Sequence, residues 1–221
     1  MKIVIPARLG SKGLPFKNRT LLRHTLAIIP EELLSSTWVT TDDSEIIKIA
    51  EEYGVNIIDR PSALAEDETS IKDVIIHAYD KIQPKRSDFI VLLYVTYPER
   101  RWSDVLSAYL LMVDSNNREM SQSLLCRQEV QSHPYLCLTE DPTNPLFGKQ
   151  VVPHNLYRRQ DYPVCFELSH YISIFRADTI YKLNSNMYCD TTIFYTIPRV
   201  IDIDLKKDLD KFNESTSPCN N

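Results

Sequence analysis

Four apolar runs, Lys2–Pro6, Thr37–Thr41, Val55–Ile58 and Asp88–Val95, are rich in Val, Ile and Leu and have the length of strands. Helical patterns separate them. Ile46, Ile47, Ile49, Ala50 and Tyr53 recur at helical spacing, Gly54 supplies a stop, and Asp42-x-x-Glu45 has the form of a capping box. A second helix is predicted over about Ser70–Ile82, with Val74, Ile75, Ala78 and Tyr79 facing inward, and a third over roughly Ser103–Val113. Strands that alternate with helices need crossover connections, nearly always right-handed. The result is an α/β fold: a mainly parallel sheet with helices on both faces.

After Asn116 the alternation stops. Residues 119–165 hold short β-like runs, prolines at 134, 142, 145 and 153, and no helical pattern. This stretch is expected to leave the sheet as a β-hairpin arm. Its apolar residues (Leu124, Leu125, Tyr135, Leu136, Leu138, Leu146, Phe147) need a cover, and isologous pairing in a homodimer supplies one. The chain then returns with a strand at Tyr171–Phe175, a short helix near Asp178–Leu183, a strand at Thr191–Ile197 and a final helix after Asp204. One domain is expected over 1–212, and the polar tail 213–221 reads as disordered.

Composition removes several classes of function. A net charge of −5 argues against nucleic acid as a partner. The longest apolar run, Phe89–Val95, is too short to span a bilayer, so no membrane role is expected. Five cysteines lie scattered without a C-x-x-C pair, which suits reduced thiols in the cytoplasm better than disulfides or zinc. No signal-peptide core precedes the first strand, in keeping with a cytoplasmic protein.

Two motifs carry chemistry. The chain has only four glycines, and two of them, Gly10 and Gly13, fall in the loop after the first strand, among Arg8, Lys12 and Lys17. Glycine lets backbone approach a ligand, and several cations neutralise several oxygens at once, so this loop reads as a polyphosphate cradle. A basic surface loop between strand and helix is the alternative. The second motif is Ile201-Asp202-Ile203-Asp204. In a strand, two carboxylates one residue apart share a face, about 7 Å from each other, and can hold a hard cation. An acidic solvated face is the alternative there. A cradle for polyphosphate calls for magnesium, and that links the two motifs.

The stretch Ile5–Asn18 resembles the signature loop of the sialic-acid cytidylyltransferases, the CMP-N-acylneuraminate synthetase family. Val39–Asp43 resembles its V-S-T-D-D, Arg60–Asp67 its R-P-x-x-L-A-x-D, Leu92–Arg100 its L-L-Q-P-T-S-P-L-R, Arg159-Gln160 its R-Q, and Ile201–Leu209 its S-I-D-I-D-T-x-x-D-L. The resemblance covers about residues 2 to 210. It implies a Rossmann-like nucleotidyltransferase fold that transfers CMP from CTP to a 2-keto sugar acid. It also implies that Arg8, Lys17, Asp202 and Asp204 are the catalytic residues. Ala7, Gly10, Ser11, Lys12, Gly13, Asn18, Arg60 and Ser70 would join Arg8 and Lys17 around the nucleotide, and Asp202 and Asp204 would bind Mg2+. Tyr94, Thr96, Arg159, Gln160, Glu167 and His170 would face the acceptor, with the arm completing that site across the dimer.

Departures from the family pattern gather on the acceptor side. Tyr94 stands for its glutamine, and Val95, Tyr97 and Glu99 stand for its proline, serine and leucine. Leu136 stands for a lysine, Glu167–Tyr171 replaces R-x-N-G-A, and the connection after Asn18 is shorter. Two alternatives therefore stay open. One is a nucleotidyltransferase for another acceptor, a sugar 1-phosphate or a phosphonate, with CTP or GTP. The other is a catalytically silent nucleotide-binding homologue.

Overall fold

A computed structural model describes residues 1–10 and 13–216. Its seven-stranded sheet has the order β3-β2-β1-β4-β8-β5-β9. The strands are β1 (Lys2–Pro6), β2 (Thr37–Thr41), β3 (Asn56–Asp59), β4 (Phe89–Leu92), β5 (Ser123–Glu129), β8 (Phe166–Arg176) and β9 (Thr192–Thr196). Only β8 runs against its neighbours β4 and β5; the other pairings are parallel. The expected α/β architecture is what forms.

One face of the sheet is covered by α1 (Lys17–Ala27), α3 (Ser44–Glu52), α5 (Trp102–Asn117) and α6 (Lys206–Thr216). Leu21, Leu22, Ile46, Ala50, Val105, Ala108, Met112 and Phe212 pack there on Ile3, Ile5, Val39, Val91 and Leu124. The opposite face is covered by α4 (Ile71–Ile82) and the 3-10 turn Ala177–Lys182, with Ile75, Ala78 and Ile180 on Val4, Ile90, Leu92 and Phe175. The short helix α2 (Glu31–Leu34) leads into β2.

The structure moves several boundaries. Ser123–Glu129 is not part of an arm but an inner strand between β8 and β9, with Leu124 and Leu125 fully buried. Those two leucines therefore find their cover within the chain. The segment that leaves the sheet runs from residue 130 to 165, and it carries the hairpin of β6 (Leu138–Glu140) and β7 (Gly148–Gln150). A small aromatic core holds its base: Tyr135 stacks on His154 at 4.3 Å, and both rings contact Tyr162. The final-strand expectation also fails. Ile201–Asp204 is extended but pairs with no strand, tied to the sheet by the Ile203 N–H donating to the Thr96 carbonyl at 2.9 Å. Residues 213–216, expected in a disordered tail, close the last turn of α6; 217–221 lie outside the described residues.

The cap of α3 sits one residue later than the capping-box pattern placed it. Buried Asp43 accepts from the Glu45 N–H at 3.0 Å and from Arg19 Nε and Nη2 at 2.7 and 3.0 Å. Burial pushes this carboxyl up, but the bonds from Arg19 and from backbone N–H groups outweigh it and hold it below the usual aspartate range. A carboxyl held down in the folded state stabilises above its unfolded pKa and loses that contribution as pH falls. Asp43→Asn should therefore cost roughly 1–3 kcal/mol at neutral pH. Urea titrations should show the gap to wild type closing below about pH 4, the ordinary aspartate value; a gap independent of pH would contradict this account.

Candidate active site

The strand order reverses direction of travel between β1 and β4, and open α/β sheets bind ligands at the carboxyl ends of strands on either side of such a point. The chain leaving β1 is pinned there. Ala7 N–H donates to Thr40 O at 3.0 Å, Leu9 N–H to Asp42 Oδ1 at 2.8 Å, and Asn18 Nδ2 to Arg8 O at 2.8 Å. Arg8 reaches across to the segment after β3, donating to Ala65 O at 3.0 Å and pairing with Asp67 Oδ1 at 2.6 Å.

Beneath it lies Arg60, buried and bonded only to neutral oxygens of Thr40, the carbonyl at 2.7 Å and the hydroxyl at 3.4 Å. Burial pulls the Arg60 guanidinium down to about 10; Asp42 opposes this, and the charge of Arg8 adds to it. A pocket of about 160 Å3 opens here, lined by Pro6, Arg8, Asn18, Arg60, Ile71, Tyr94, Val95 and Thr96. Its two guanidinium groups make it a place for an anion.

The second half of the site comes from the other end of the chain. Lys17 opens α1, and its Nζ donates to Asp204 Oδ1 at 2.6 Å and Ile203 O at 3.1 Å. That helix has no acidic residue in its first turn and no side-chain cap; the N–H groups of Lys17 and Arg19 donate to the carbonyls of Leu14 and Phe16 at 3.3 and 3.0 Å. Gly13 shows why the loop needs a glycine. A Cβ there would lie 2.3 Å from the Asp204 carbonyl oxygen. The backbones meet at a distance no side chain permits. Gly10 has no such neighbour, since a Cβ there would meet only Arg8 Nη1, at 3.8 Å.

Asp202 stands next to this junction at the mouth of the cleft. Its carboxylate accepts from the Tyr97 hydroxyl at 2.8 Å. Asp202 stays open to solvent, but nearby protein partly desolvates its carboxylate and raises its pKa. Bonds from Thr96 and Tyr97 oppose the rise, repulsion from Asp204 adds to it, and the charge of Lys17 opposes it. His170 lies above Tyr94, ring centroids 5.3 Å apart, with a buried Nδ1 that has no partner. Burial lowers the His170 pKa, and the charge of Asp202 works the other way.

Not all predicted residues converge. Ser11 and Lys12 lie outside the described residues. The Ala7 N–H is spent on β2, as above. Ser70 caps α4, accepting from the Asp73 N–H at 3.2 Å and donating to Asp73 Oδ2 at 2.7 Å, and its neighbour Ile71 lines the pocket instead. Glu167 lies beside β5, accepting from Gln128 at 2.7 Å and pairing with Arg199 at 3.1 Å. Arg159 and Gln160 form an exposed 3-10 turn on the segment outside the sheet. There Arg159 lines a separate pocket of about 540 Å3 with Gln131, His133, Leu136 and Tyr162. Sequence reasoning gave no role to Tyr97, Arg100 or Asp67. Each sits inside a quoted motif, but only the spatial meeting of motifs shows what it touches.

A sheet of this order, with cations and carboxylates gathered at its switch point, defines an α/β protein of nucleotidyltransferase type. The chain belongs to the cytidylyltransferase family, which it matches over residues 2–184. It is 27% identical to an N-acylneuraminate cytidylyltransferase of Streptococcus agalactiae across 91% of its own length and 49% of that protein. An Escherichia coli N-acylneuraminate cytidylyltransferase is 36% identical across 49% of the chain and 27% of that protein. A CMP-N,N'-diacetyllegionaminic acid synthase of Legionella pneumophila is 27% identical across 85% and 76%. The chain thus spans about a quarter to a half of the length of the first two relatives. Among solved structures, a CMP:2-keto-3-deoxy-manno-octonic acid synthetase complexed with CTP superposes with a TM-score of 0.68 at 16% identity, covering 97% of both chains. At that identity the likeness is one of fold.

Gly13→Ala tests the junction. The added carbon must displace the backbone at Asp204, so nucleotide affinity should fall by about tenfold or more while the far-UV spectrum stays unchanged. Gly10→Ala, whose added carbon makes only an ordinary contact with Arg8 Nη1 among the described residues, should bind nucleotide as wild type does. Equal behaviour of the two variants would remove the close-approach argument.

Proposed function

We propose that this chain transfers CMP from CTP to the anomeric hydroxyl of a 2-keto sugar acid of the sialic-acid type, releasing pyrophosphate. The observation that supports it most is the meeting of Lys17 with Ile203 and Asp204, next to the pocket that holds Arg8, Arg60 and Asn18. Attack of a hydroxyl at the α-phosphorus is an in-line displacement, so the protein acts chiefly by positioning and by neutralising charge. Arg8, a planar fork, grips phosphate oxygens, and Lys17 on its flexible stem follows the charge that builds on the leaving pyrophosphate. Asn18 and Arg60 lie against the nucleoside.

The donor set fits magnesium. No group of three His, Cys, Asp or Glu among the described residues could hold a metal ion by itself. Magnesium, however, is commonly bound by one or two carboxylates together with substrate phosphates, which is what Asp202 and Asp204 offer. The ion, when bound, would neutralise triphosphate charge and polarise the reacting phosphorus. Lys17 then exchanges its bond to Asp204 for a phosphate oxygen.

The aromatic residues Tyr94 and Tyr97 and the half-buried His170 favour a second reading, transfer to a different acceptor such as a sugar 1-phosphate or phosphonate. A silent homologue is the less favoured reading, because Lys17, Asp202 and Asp204 are all present. Pyrophosphate release measured with CTP or GTP against a panel of sugar acids, sugar 1-phosphates and phosphonates separates the three. Release is expected with CTP and a 2-keto acid, and Lys17→Ala should lower kcat roughly 100-fold. Release with no pair, or near wild-type turnover of the variant, would overturn the reading.

The reading includes a homodimer in the cytoplasm. The described cysteines are free thiols, as a reducing compartment requires, and among the described residues no helix is long and apolar enough to cross a membrane. On the segment outside the sheet, Leu138, Leu146, Phe147 and Tyr157 are exposed, 65% or more in each case, and a second copy of that segment would cover them. The double variant Leu146→Asp, Phe147→Ser should therefore sediment as a monomer at micromolar concentration where wild type sediments as a dimer. A monomeric wild type would sink the dimer proposal.

A further inference from the structure

Arg100 is buried and makes no ion pair among the described residues. Its Nε donates to Tyr171 O at 2.7 Å, its Nη2 to Tyr94 O at 2.6 Å, and its Nη1 has no partner. Burial pulls this guanidinium down to about 10. The cation lies against two phenol rings that meet edge to face, 5.6 Å from the centroid of Tyr97 and 5.3 Å from that of Tyr171. Each phenol passes its hydroxyl hydrogen to a carboxylate: Tyr97 to Asp202 Oδ2 and Tyr171 to Asp104 Oδ2, both at 2.8 Å. One buried charge is thus compensated through two tyrosines by two acids.

The two branches differ in what else holds the acid. Asp104 has its own counter-ion, with Arg101 Nε and Nη2 both at 3.2 Å. Among the described residues Asp202 has no ion pair, and the Tyr97 hydroxyl holds it at 2.8 Å. A cation beside a phenol draws electron density from the ring and makes the hydroxyl a stronger donor. A carboxylate has about four acceptor positions, so the bond from Tyr97 orients it and leaves the other positions open.

We infer that Tyr97, backed by the buried Arg100, is a positioning residue that aims the Asp202 carboxylate toward the nucleotide's metal ion. The inference rests on the reading of Asp202 as a magnesium ligand. It gives Tyr97 a task that a shorter hydroxyl side chain, too short to lie against Arg100, could not perform in the same way. Groups that hold metal ligands in place typically contribute a factor of 10–100 to metal affinity.

Binding of Mn2+ in the presence of CTP, followed by electron paramagnetic resonance, tests this without turnover. The variants are Asp202→Asn, Tyr97→Phe and Tyr171→Phe; each tyrosine variant removes one hydroxyl and keeps the ring against Arg100. Tyr97→Phe should weaken Mn2+ binding about 10-fold or more while kcat at saturating metal recovers. Tyr171→Phe should leave the affinity unchanged, since Asp104 keeps Arg101. Equal losses in both tyrosine variants would mean a packing effect and would overturn the inference. If Asp202→Asn weakens binding but Tyr97→Phe does not, the inference fails and the metal reading stands. If Asp202→Asn binds Mn2+ normally, the metal reading itself fails, and the inference with it.

Discussion

The contact between Lys17 and Asp204, made across 187 positions of sequence, holds the site together. Each partner is poorly placed without the other. Lys17 puts a cation at the positive end of α1, and Asp204 lies near the charge of Asp202. Paired, they settle both problems while no ligand is present, and Gly13 lets the two backbones come close enough for the pairing. The same junction fixes α6, because Asp208 accepts from the N–H groups of Asp204 and Leu205 at its start. On the proposed function, a polyphosphate arriving at α1 would offer Lys17 a stronger partner, and the exchange would free a carboxylate where that function needs a cation. Preorganisation here means that the groups already lie in place and only change partners.

The sheet explains why these groups meet at all. With β4 beside β1, the loops after both strands open on the same crevice, and β2 and β3 bring Asp42, Arg60 and the segment to Asp67 to its rim. Antiparallel β8 is what lets the chain return. It runs back along β4 and β5, delivers Ser169, His170 and Tyr171 beneath the acceptor side, and sends the chain outward again to β9. From there Val200–Asp204 passes the end of β4 and closes the cleft through the Ile203–Thr96 bond.

Sequence patterns conveyed the parts that depend on local periodicity. β1 and β2 fall on their expected residues, α4 begins one residue later than expected, and the glycine loop and D-x-D motif lie where an α/β sheet would place them. What could not be read is what depends on distant partners. Ser123–Glu129 looks like any β-like run, and only its pairing with β8 and β9 makes it an inner strand. Ile201–Asp204 alternates like a strand, yet with one bond to Thr96 it has no strand to pair with. Asp42 and Asp43 are adjacent acids; which one caps α3 is decided by Arg19, whose approach to Asp43 belongs to the packing of α1 on α3. Gly10 and Gly13 look alike in a loop, but only Gly13 has a carbonyl in its way.

The acceptor side follows a different logic from the cradle. Tyr94 lines the pocket of Arg8 and Arg60 while its ring touches His170, and its carbonyl holds Arg100. Tyr97 holds Asp202, lies against Arg100 and packs on Tyr171. The pocket of Arg8 and Arg60, the Asp202 carboxylate and the wall beside His170 therefore share two tyrosines and one buried arginine. Residues that share partners in this way do not contribute additively, so altering the acceptor wall alters the carboxylate as well. A change of acceptor in such a site would have to be made at positions outside the shared set. Half-buried His170 and the segment at residues 130–165 meet that condition, since neither holds Arg100 or Asp202 by a direct hydrogen bond. On the proposed function, specificity would then vary at the rim while the tyrosine–arginine core keeps the reacting groups in register.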